Sequence, residues 1–356
     1  MSSIVSASPR TSSSSRHART ASHPPWQGPF GQPAVGGARA SRKAITTEAY
    51  LRQWLAHMKG RVRAVTYDGY EALVRVHAIP GLGSIPLASL HPLQIQDLYA
   101  DLVASGRISA KTVGNLHRVL RQSLSHAQNW RLIDWNPAAA AQPPRAKRTE
   151  PRIVDLDLAE RILSVATGTR WEAPVAIAIA TGMRRGEILA LRWSDLDEEY
   201  TTARVKRTLE VATGQGLVFE DPKTPKSRRA VALPTFLKPH LERHRTSQAA
   251  RRVAAGDRWV ENGLVVDRGN GTPWNPDRFS SAWPWFLHAS KLPHVRFHDL
   301  RHGHATLMLM QGVHPKIVSE RLGHSSIGIT LDTYSHVLPS MQGEAVKAFD
   351  QLFEAT

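Results

Sequence analysis

Apolar positions fall into two regimes, separated by a proline-rich break. Between residues 44 and 135 they recur at helical spacing. Leu51, Trp54, Leu55 and Met58 follow Thr46 and Thr47, hydroxyl residues suited to capping a helix start. The pattern predicts a second helix over about 66–77, ending near Pro80-Gly81. Leu98, Leu102 and Val103 mark a third, with Pro92 in its first turn, where the missing N–H has no intrahelical partner to lose. Ser109 precedes a fourth, whose apolar side carries Val113, Leu116, Leu120 and Leu124. Beyond residue 153 the pattern is mixed. Asp155 can cap a helix to about Ala166, APVAIAIATG reads as a buried helix ending at Gly182, and another begins over 185–192. Between 202 and 234 the period shortens to that of strands: ARVKRTLE, GLVFE and RRAVALP, with glycine- and proline-bearing turns between them. A helix near 235–252 and a short strand at 264–266 follow, and after that almost only helices. The last of these, over 344–353, carries Val346, Phe349, Leu352 and Phe353 on one side.

The expected fold is therefore mainly α with a small antiparallel β-sheet, an α+β chain of two halves. Residues 44–135 form the helical domain, 136–152 (NPAAAAQPPRAKRTEPR) a solvated linker, and 153–356 the mixed domain. Residues 1–43 have no apolar periodicity and contain TSSSS, six basic residues and no acid, so a disordered basic tail is expected there.

Charge changes the picture more than hydrophobicity does. The 356 residues carry a formal net charge of +16 with a pI near 10.6, which favours a polyanionic partner, most simply nucleic acid. Arginines outnumber lysines 35 to 11, a bias that phosphate binding or a GC-rich genome explains equally well. No cysteine is present, so disulfides, thiolate metal sites and cysteine nucleophiles are excluded, which fits a cytoplasmic location. The longest apolar run, residues 173–180, is too short to span a bilayer, so no membrane role is expected.

Candidate chemistry lies in four short blocks. Arg184 stands in TGMRRGEILALRWSD, with Glu187 three residues on and so on the same helical face, where it can hold the arginine. His298 and Arg301 share a face of HDLRH. His324 and Tyr334 close LGHSSIGITLDTYSH. Taken singly, Tyr334 is a core tyrosine, His324 a helix C-terminal histidine and Lys223 a solvated turn lysine. Taken in order, two arginines, two histidines and a tyrosine describe a site that breaks a phosphodiester by covalent attack. His298 and His302 also imitate the two-histidine zinc helix, but with Asp299 in place of the glutamate base and no dedicated third ligand.

Together, TGMRRGEILALRW, PKTPKSRRAVALP, HDLRHGHAT and LGHSSIGITLDTYSHV resemble the tyrosine recombinase (phage integrase) family, in particular integrases of phages and integrative elements. The resemblance covers roughly 44–350 and is strongest over 180–340. It implies a clamp in which 44–135 is the core-binding domain and 153–356 the catalytic domain. It implies that Arg184 and Arg301 are the catalytic arginines, Lys223 (with Lys226 as a rival) the lysine of the strand hairpin, His298 and His324 the two histidines, Tyr334 the nucleophile and Glu187 a supporting acid. The implied reaction is site-specific cleavage and rejoining of double-stranded DNA through a 3′-phosphotyrosine, for integration or excision of a mobile element. In it Lys223 protonates the leaving 5′-oxygen and His298 assists proton movement from the tyrosine. Neither ATP nor a metal cofactor is needed. A homo-tetramer at synapsis is implied, and accessory DNA-bending or directionality proteins are compatible with it. Two positions depart from the pattern. Gly303 stands where many relatives have Thr or Ser, and residues 1–43 are too short and polar for a folded arm-binding domain. The competing readings are a type IB topoisomerase, a metal-dependent nuclease using His298 and His302, and a non-catalytic DNA-binding protein.

Overall fold

Capping side chains start the helices close to where the apolar spacing predicts them. The computed structural model describes residues 45–146, 154–212, 214–221, 228–334, 346, 349–351 and 353. In the first half, α1 (Thr47–Met58) starts at Thr46, whose hydroxyl accepts the Ala49 N–H. Next come α2 (Ala64–Leu73) and α3 (Ile79–Leu82), joined by a π turn at Val74–Ala78. The helix expected to end near Pro80-Gly81 thus continues through the proline to Leu82, the widened turn accommodating the absent proline N–H. α4 (Pro92–Ala104) carries its proline at the first position, and α5 (Ala110–Asn129) is capped by Ser109. Their apolar stripes converge on Tyr50, Trp54, Tyr99, Leu116 and Leu120. The polar tips of the aromatics are satisfied: Tyr50 donates to the Ser123 carbonyl and Trp54 to His126 Nδ1 at 3.0 Å.

The expected linker does not begin at Asn136. Asn136 donates to the Arg121 carbonyl and the Ser125 hydroxyl and caps a short turn at Pro137–Ala139. Ala138 and Ala141 are buried in the first core, and Gln142 and Gln96 exchange hydrogen bonds at 2.9 Å. Alanines are small enough to fill that core, so 136–142 pack with the helical half. Residues 147–152 of the expected linker, and the tail over 1–43, lie outside the described residues.

The second half is built around α7. α6 (Leu156–Ala166), capped by Asp155, precedes it. α7 (Glu172–Thr181) has no polar face and is buried along nearly its whole length, ending at Gly182 with φ +64°. α8 (Arg185–Leu189) follows at once. The strand region forms two antiparallel pairs rather than one sheet. β1 (Thr202–Val205) pairs with β4 (Arg229–Ala232), and β2 (Thr208–Ala212) pairs with β3 (Gly216–Glu220). The segment ARVKRTLE splits because Lys206 and Arg207 both turn to the buried Asp195, at 3.1 and 2.5 Å. The strand expected at 264–266 is reduced to a single bridge between Leu264 and Arg192. Among the described residues five longer helices follow: α9 (Leu237–Ala255), α10 (Pro276–Ala289), α11 (Phe297–Met310), α12 (Pro315–Leu322) and α13 (Ile327–Tyr334). Trp171 packs on Phe279 and Trp283, with ring centroids 4.8 and 5.2 Å apart, at the centre of the second core. The fold is mainly α with a small antiparallel component, as expected. Among the described residues no helix is long and apolar enough to cross a membrane.

The departure at Gly303 has a local cause. A Cβ there would lie 2.7 Å from the Val154 carbonyl oxygen and 2.8 Å from Val154 Cβ, so α11 can approach the segment before α6 only without a side chain. Gly303→Ala should therefore destabilise the protein by about 1–3 kcal/mol, the usual cost of overpacking. A thermal melt would read this as a lowered Tm, whereas an unchanged Tm would mean that Val154 yields freely.

Candidate active site

Two left-handed glycines let distant elements meet. At Gly182 a Cβ would come within 2.6 Å of Leu322 and 2.7 Å of His304, so only glycine lets α7 end against α12 and α11. The chain then reverses and puts Arg184 at the N-cap of α8, where its backbone N–H donates to Glu187 Oε2 at 2.9 Å. Gly323 (φ +68°) ends α12 and passes the chain to His324, whose N–H closes the helix by donating to the Ser319 carbonyl. A Cβ on Gly323 would meet the Arg229 guanidinium at 2.9 Å.

The orphan carbonyls at the end of α12 are taken by arginines from three other elements. Arg229 of β4 donates to the Arg321 carbonyl at 2.6 Å, Arg301 of α11 to Leu322 at 2.9 Å, and Arg184 of α8 to Gly323 at 3.0 Å. Arg301 also donates to the Gly182 carbonyl at 2.6 Å. One buried carboxylate balances the cluster: Glu187 accepts from Arg184 at 2.9 Å and from Arg229 at 2.9 and 3.2 Å. Burial works to raise the Glu187 carboxyl, but the Arg229 and Arg184 guanidiniums outweigh it and hold it below the ordinary range. Arg301, 3% exposed, is pushed down to about 9 by burial and then by repulsion from Arg184. It remains a cation at neutral pH, pressed for an anion.

Arg184, Arg301, His298, His324 and Tyr334 line one cavity of about 450 Å³, with His302, Glu187 and Glu210. Five of the six expected catalytic residues are thus gathered from α8, α11, the loop after α12, and α13. The sixth, Lys223, lies outside the described residues, as does Lys226. Tyr334 is 2% exposed, its ring packed with Leu309, Val318 and Leu322. Burial raises its hydroxyl to about 12, against a smaller opposing effect of Arg301. That hydroxyl is hydrogen-bonded at 2.9 Å to Nδ1 of His302, one turn on from His298. His298 stands edge-on to His302, ring centroids 5.1 Å apart. His324 bonds through Nδ1 to the buried Thr330 hydroxyl at 2.8 Å, which fixes its ring. Desolvation, then the neighbouring cations and histidines, lower His298 and His324 to about 4, so both are neutral at pH 7.

Sequence reasoning missed Arg229, Thr330 and the contact of His302 with the tyrosine. Arg229 stood in a run of basic residues that reads as solvated charge, and only the β1–β4 register buries it. His302 was visible, at i+4 from His298, but was read only as a metal ligand. A second cavity, of about 1100 Å³, abuts the site through Arg229 and is lined by Arg63, Arg192, Arg204, Lys206, Arg207 and Arg228. Arg63 reaches it from the helical half, pairing with Glu220 at 3.1 Å.

Comparison with known proteins gives a consistent set of relatives. The model of the phage integrase family matches residues 153–341, and that of the phage integrase N-terminal SAM-like domain matches 46–103. A XerC-like tyrosine recombinase of Caldanaerobacter subterraneus subsp. tengcongensis is 30% identical over 339 residues, covering 89% of this chain and 86% of its own length. The ICEBs1 integrase of Bacillus subtilis is 29% identical over 317 residues, covering 88% and 85%. Among solved structures, the Tn1549 transposon integrase in complex with a circular intermediate DNA superposes with a TM-score of 0.71 at 21% identity, over 85% of this chain and 99% of that one. A lambda integrase tetramer bound to a Holliday junction gives 0.62 at 16% identity, over 82% and 78%. At such identities the structural likeness speaks to the fold.

One buried histidine beneath the site makes a prediction of its own. His304 donates through Nδ1 to the Ile179 carbonyl at 2.8 Å and accepts from Arg321 through Nε2 at 3.1 Å, so it must be neutral. Burial and then Arg321 lower it to about 4, against an unfolded value near 6.5. The unfolded chain therefore binds more protons between those values. This contribution to stability is full above pH 6.5 and is lost as pH falls toward 4. Melting temperatures between pH 7 and 5 should fall less steeply in His304→Gln than in the parent, and equal slopes would refute the assignment.

Proposed function

The chain belongs to the phage integrase family, the tyrosine recombinases, and from that premise we propose how its residues cut and rejoin DNA. It is a site-specific DNA recombinase. The observation that carries the residue assignment is the gathering of Arg184, Arg301, His324 and Tyr334 around one cavity. In this reading the Tyr334 oxygen attacks the scissile phosphorus, the P–O bond to the 5′-oxygen breaks, and a 3′-phosphotyrosine remains. Arg184 and Arg301 present planar forks to the non-bridging oxygens, and each retains donors beyond those given to carbonyls. His324, neutral and fixed by Thr330, adds a hydrogen bond without adding charge. His298 lines the same cavity and, in the role the resemblance gives it, assists proton movement from the tyrosine. Glu187 positions Arg184 and touches no substrate. Lys223 is the donor to the leaving oxygen. The ester keeps the bond energy, so a second 5′-hydroxyl can reverse the step without ATP.

Double-stranded DNA is the substrate, and the arginine-lined cavity beside the site supports a track for its backbone. The helical half and the mixed half close on the duplex as a clamp, with Arg63 reaching across. Recombination of two duplexes calls for four active subunits, so the working form is a homo-tetramer. Val346, Phe349 and Phe353, 59%, 61% and 70% exposed, support a docking face for a neighbouring protomer. The work is done where the host's DNA lies, in the cytoplasm.

A nicked suicide substrate incubated with the protein in EDTA should trap a covalent protein–DNA adduct. Tyr334→Phe should abolish the adduct and leave DNA affinity nearly unchanged. Persistence of the adduct in that variant would remove Tyr334 as nucleophile, and loss of parental activity on chelation would favour the metal-dependent reading. Lys223→Ala should slow cleavage of normal DNA by about 10²-fold or more. A substrate with sulfur at the 5′-bridging position needs no proton on its leaving group and should largely rescue the variant. Equal defects on both substrates would hand the donor role to Lys226 or another group.

A further inference from the structure

We propose that His302 is the base that takes the proton from the Tyr334 hydroxyl as that oxygen attacks the scissile phosphate. The proposal rests on Tyr334 being the nucleophile and adds the group that activates it. Its observation is the 2.9 Å bond between His302 Nδ1 and the tyrosine oxygen, in a site where that oxygen is almost wholly buried. A phenol cut off from water cannot lose its proton to solvent, so the acceptor must be a neighbour already in contact.

The alternatives lining the cavity fit less well. Arg301 and Arg184 are guanidinium donors and offer no acceptor. His324 is tied through Nδ1 to Thr330 on the buried side of α13. His298 is one helical turn before His302, and its ring meets the His302 ring edge-on rather than the tyrosine. Helix α11 fixes the choice: residues four apart stack on one face, so His298 and His302 form a column and the later member reaches Tyr334.

The protonation states agree with this role. A tyrosine that donates to Nδ1 requires the tautomer with its proton on Nε2, a neutral imidazole. Burial lowers His302 from its ordinary value. On its own helix, Asp299 opposes that shift, while Arg301 and Arg296 add to it. From the other elements it meets Tyr334 and His324, with Arg184, Glu187 and Glu210 across the cavity. At neutral pH the ring is therefore empty and ready.

The step balances. The O–H pair of Tyr334 stays on oxygen and becomes the new O–P bond, and the proton passes to Nδ1 of His302. The P–O5′ bond breaks with its pair on the 5′-oxygen, which takes a proton from the separate donor assigned to Lys223. On rejoining, the incoming 5′-hydroxyl returns its proton to that donor. The tyrosine oxygen leaves phosphorus and recovers its proton from the His302 imidazolium.

The test is single-turnover adduct formation on a nicked substrate, with the full-length protein at saturation, in His302→Ala and His302→Gln. Each is made with tyrosine and with a fluorinated, more acidic tyrosine at position 334. Loss of the base should slow the tyrosine forms by about 10²-fold or more, with DNA affinity kept. The acidic tyrosine should recover most of that loss in the variants and little in the parent. The parental rate should fall at acid pH, below the ordinary imidazole range, as His302 is protonated, and that acid limb should vanish in the variants. Glutamine keeps a hydrogen bond to the hydroxyl and much of the ring's volume, so it carries the comparison if alanine disturbs the fold. A glutamine variant with parental rate and parental pH profile would overturn the proposal, as would equal losses with both tyrosines. An adduct in Tyr334→Phe would instead overturn the nucleophile beneath it, and that arm is read separately.

Discussion

Three arginines holding three consecutive carbonyls at the end of α12 are the contact on which the site depends. Placed together in a crevice, Arg184, Arg229 and Arg301 would repel one another. Two things make the arrangement stable. The helix C-terminus presents partial negative charge at its unpaired carbonyls, and Glu187 sits between Arg184 and Arg229, 5% exposed. A buried carboxylate stripped of its partners typically costs a protein about 3–5 kcal/mol, so Glu187 and Arg229 stand or fall together. The consequence is geometric. Arg184 and Arg301 would meet a phosphate only if α8 and α11 converge, and the carbonyls of Leu322 and Gly323 make them converge. The same carbonyls fix the start of the loop that carries His324.

Much of this was legible from residues because the chemistry lies in short local blocks. Gly182 and Gly323 mark reversals that need positive φ, and each stands within two residues of a side chain in the cavity. The spacing of His298 and Arg301 puts both on one turn of α11. The illegible part is what needs register between distant segments. Arg229 reads as one more basic residue in PKSRRAVALP until β4 pairs with β1 and carries it against Glu187. Whether His298 or His302 meets the tyrosine depends on how α13 crosses α11, and no spacing within HDLRH contains that. The expected linker failed at its first residues for a related reason. Proline and alanine look like punctuation, yet Asn136 caps the turn and small alanines complete a core built by helices far upstream.

The remaining feature is electrostatic. Arg301 and the cavity histidines are held below their ordinary values, in the direction that an incoming phosphate would correct. Arg301 is lowered by burial and by Arg184, the histidines are kept neutral, and the tyrosine is kept protonated. A phosphodiester supplies the anion that relieves the repulsion between the arginines, and it does so at the point where charge grows as the new bond forms. Donors fixed by the backbone need little reorganisation to meet that charge. Burial of Tyr334 works the other way, because it makes the proton harder to remove. In the proposed role, a tyrosine that stays protonated until DNA arrives is a weak nucleophile toward anything else. Activation then depends on a neighbour that is neutral at rest and can become a cation once negative charge has entered. In the role proposed for His302, an imidazole lowered by Arg301 and Arg296 is easier to protonate once phosphate has entered, which would tie proton transfer to substrate binding.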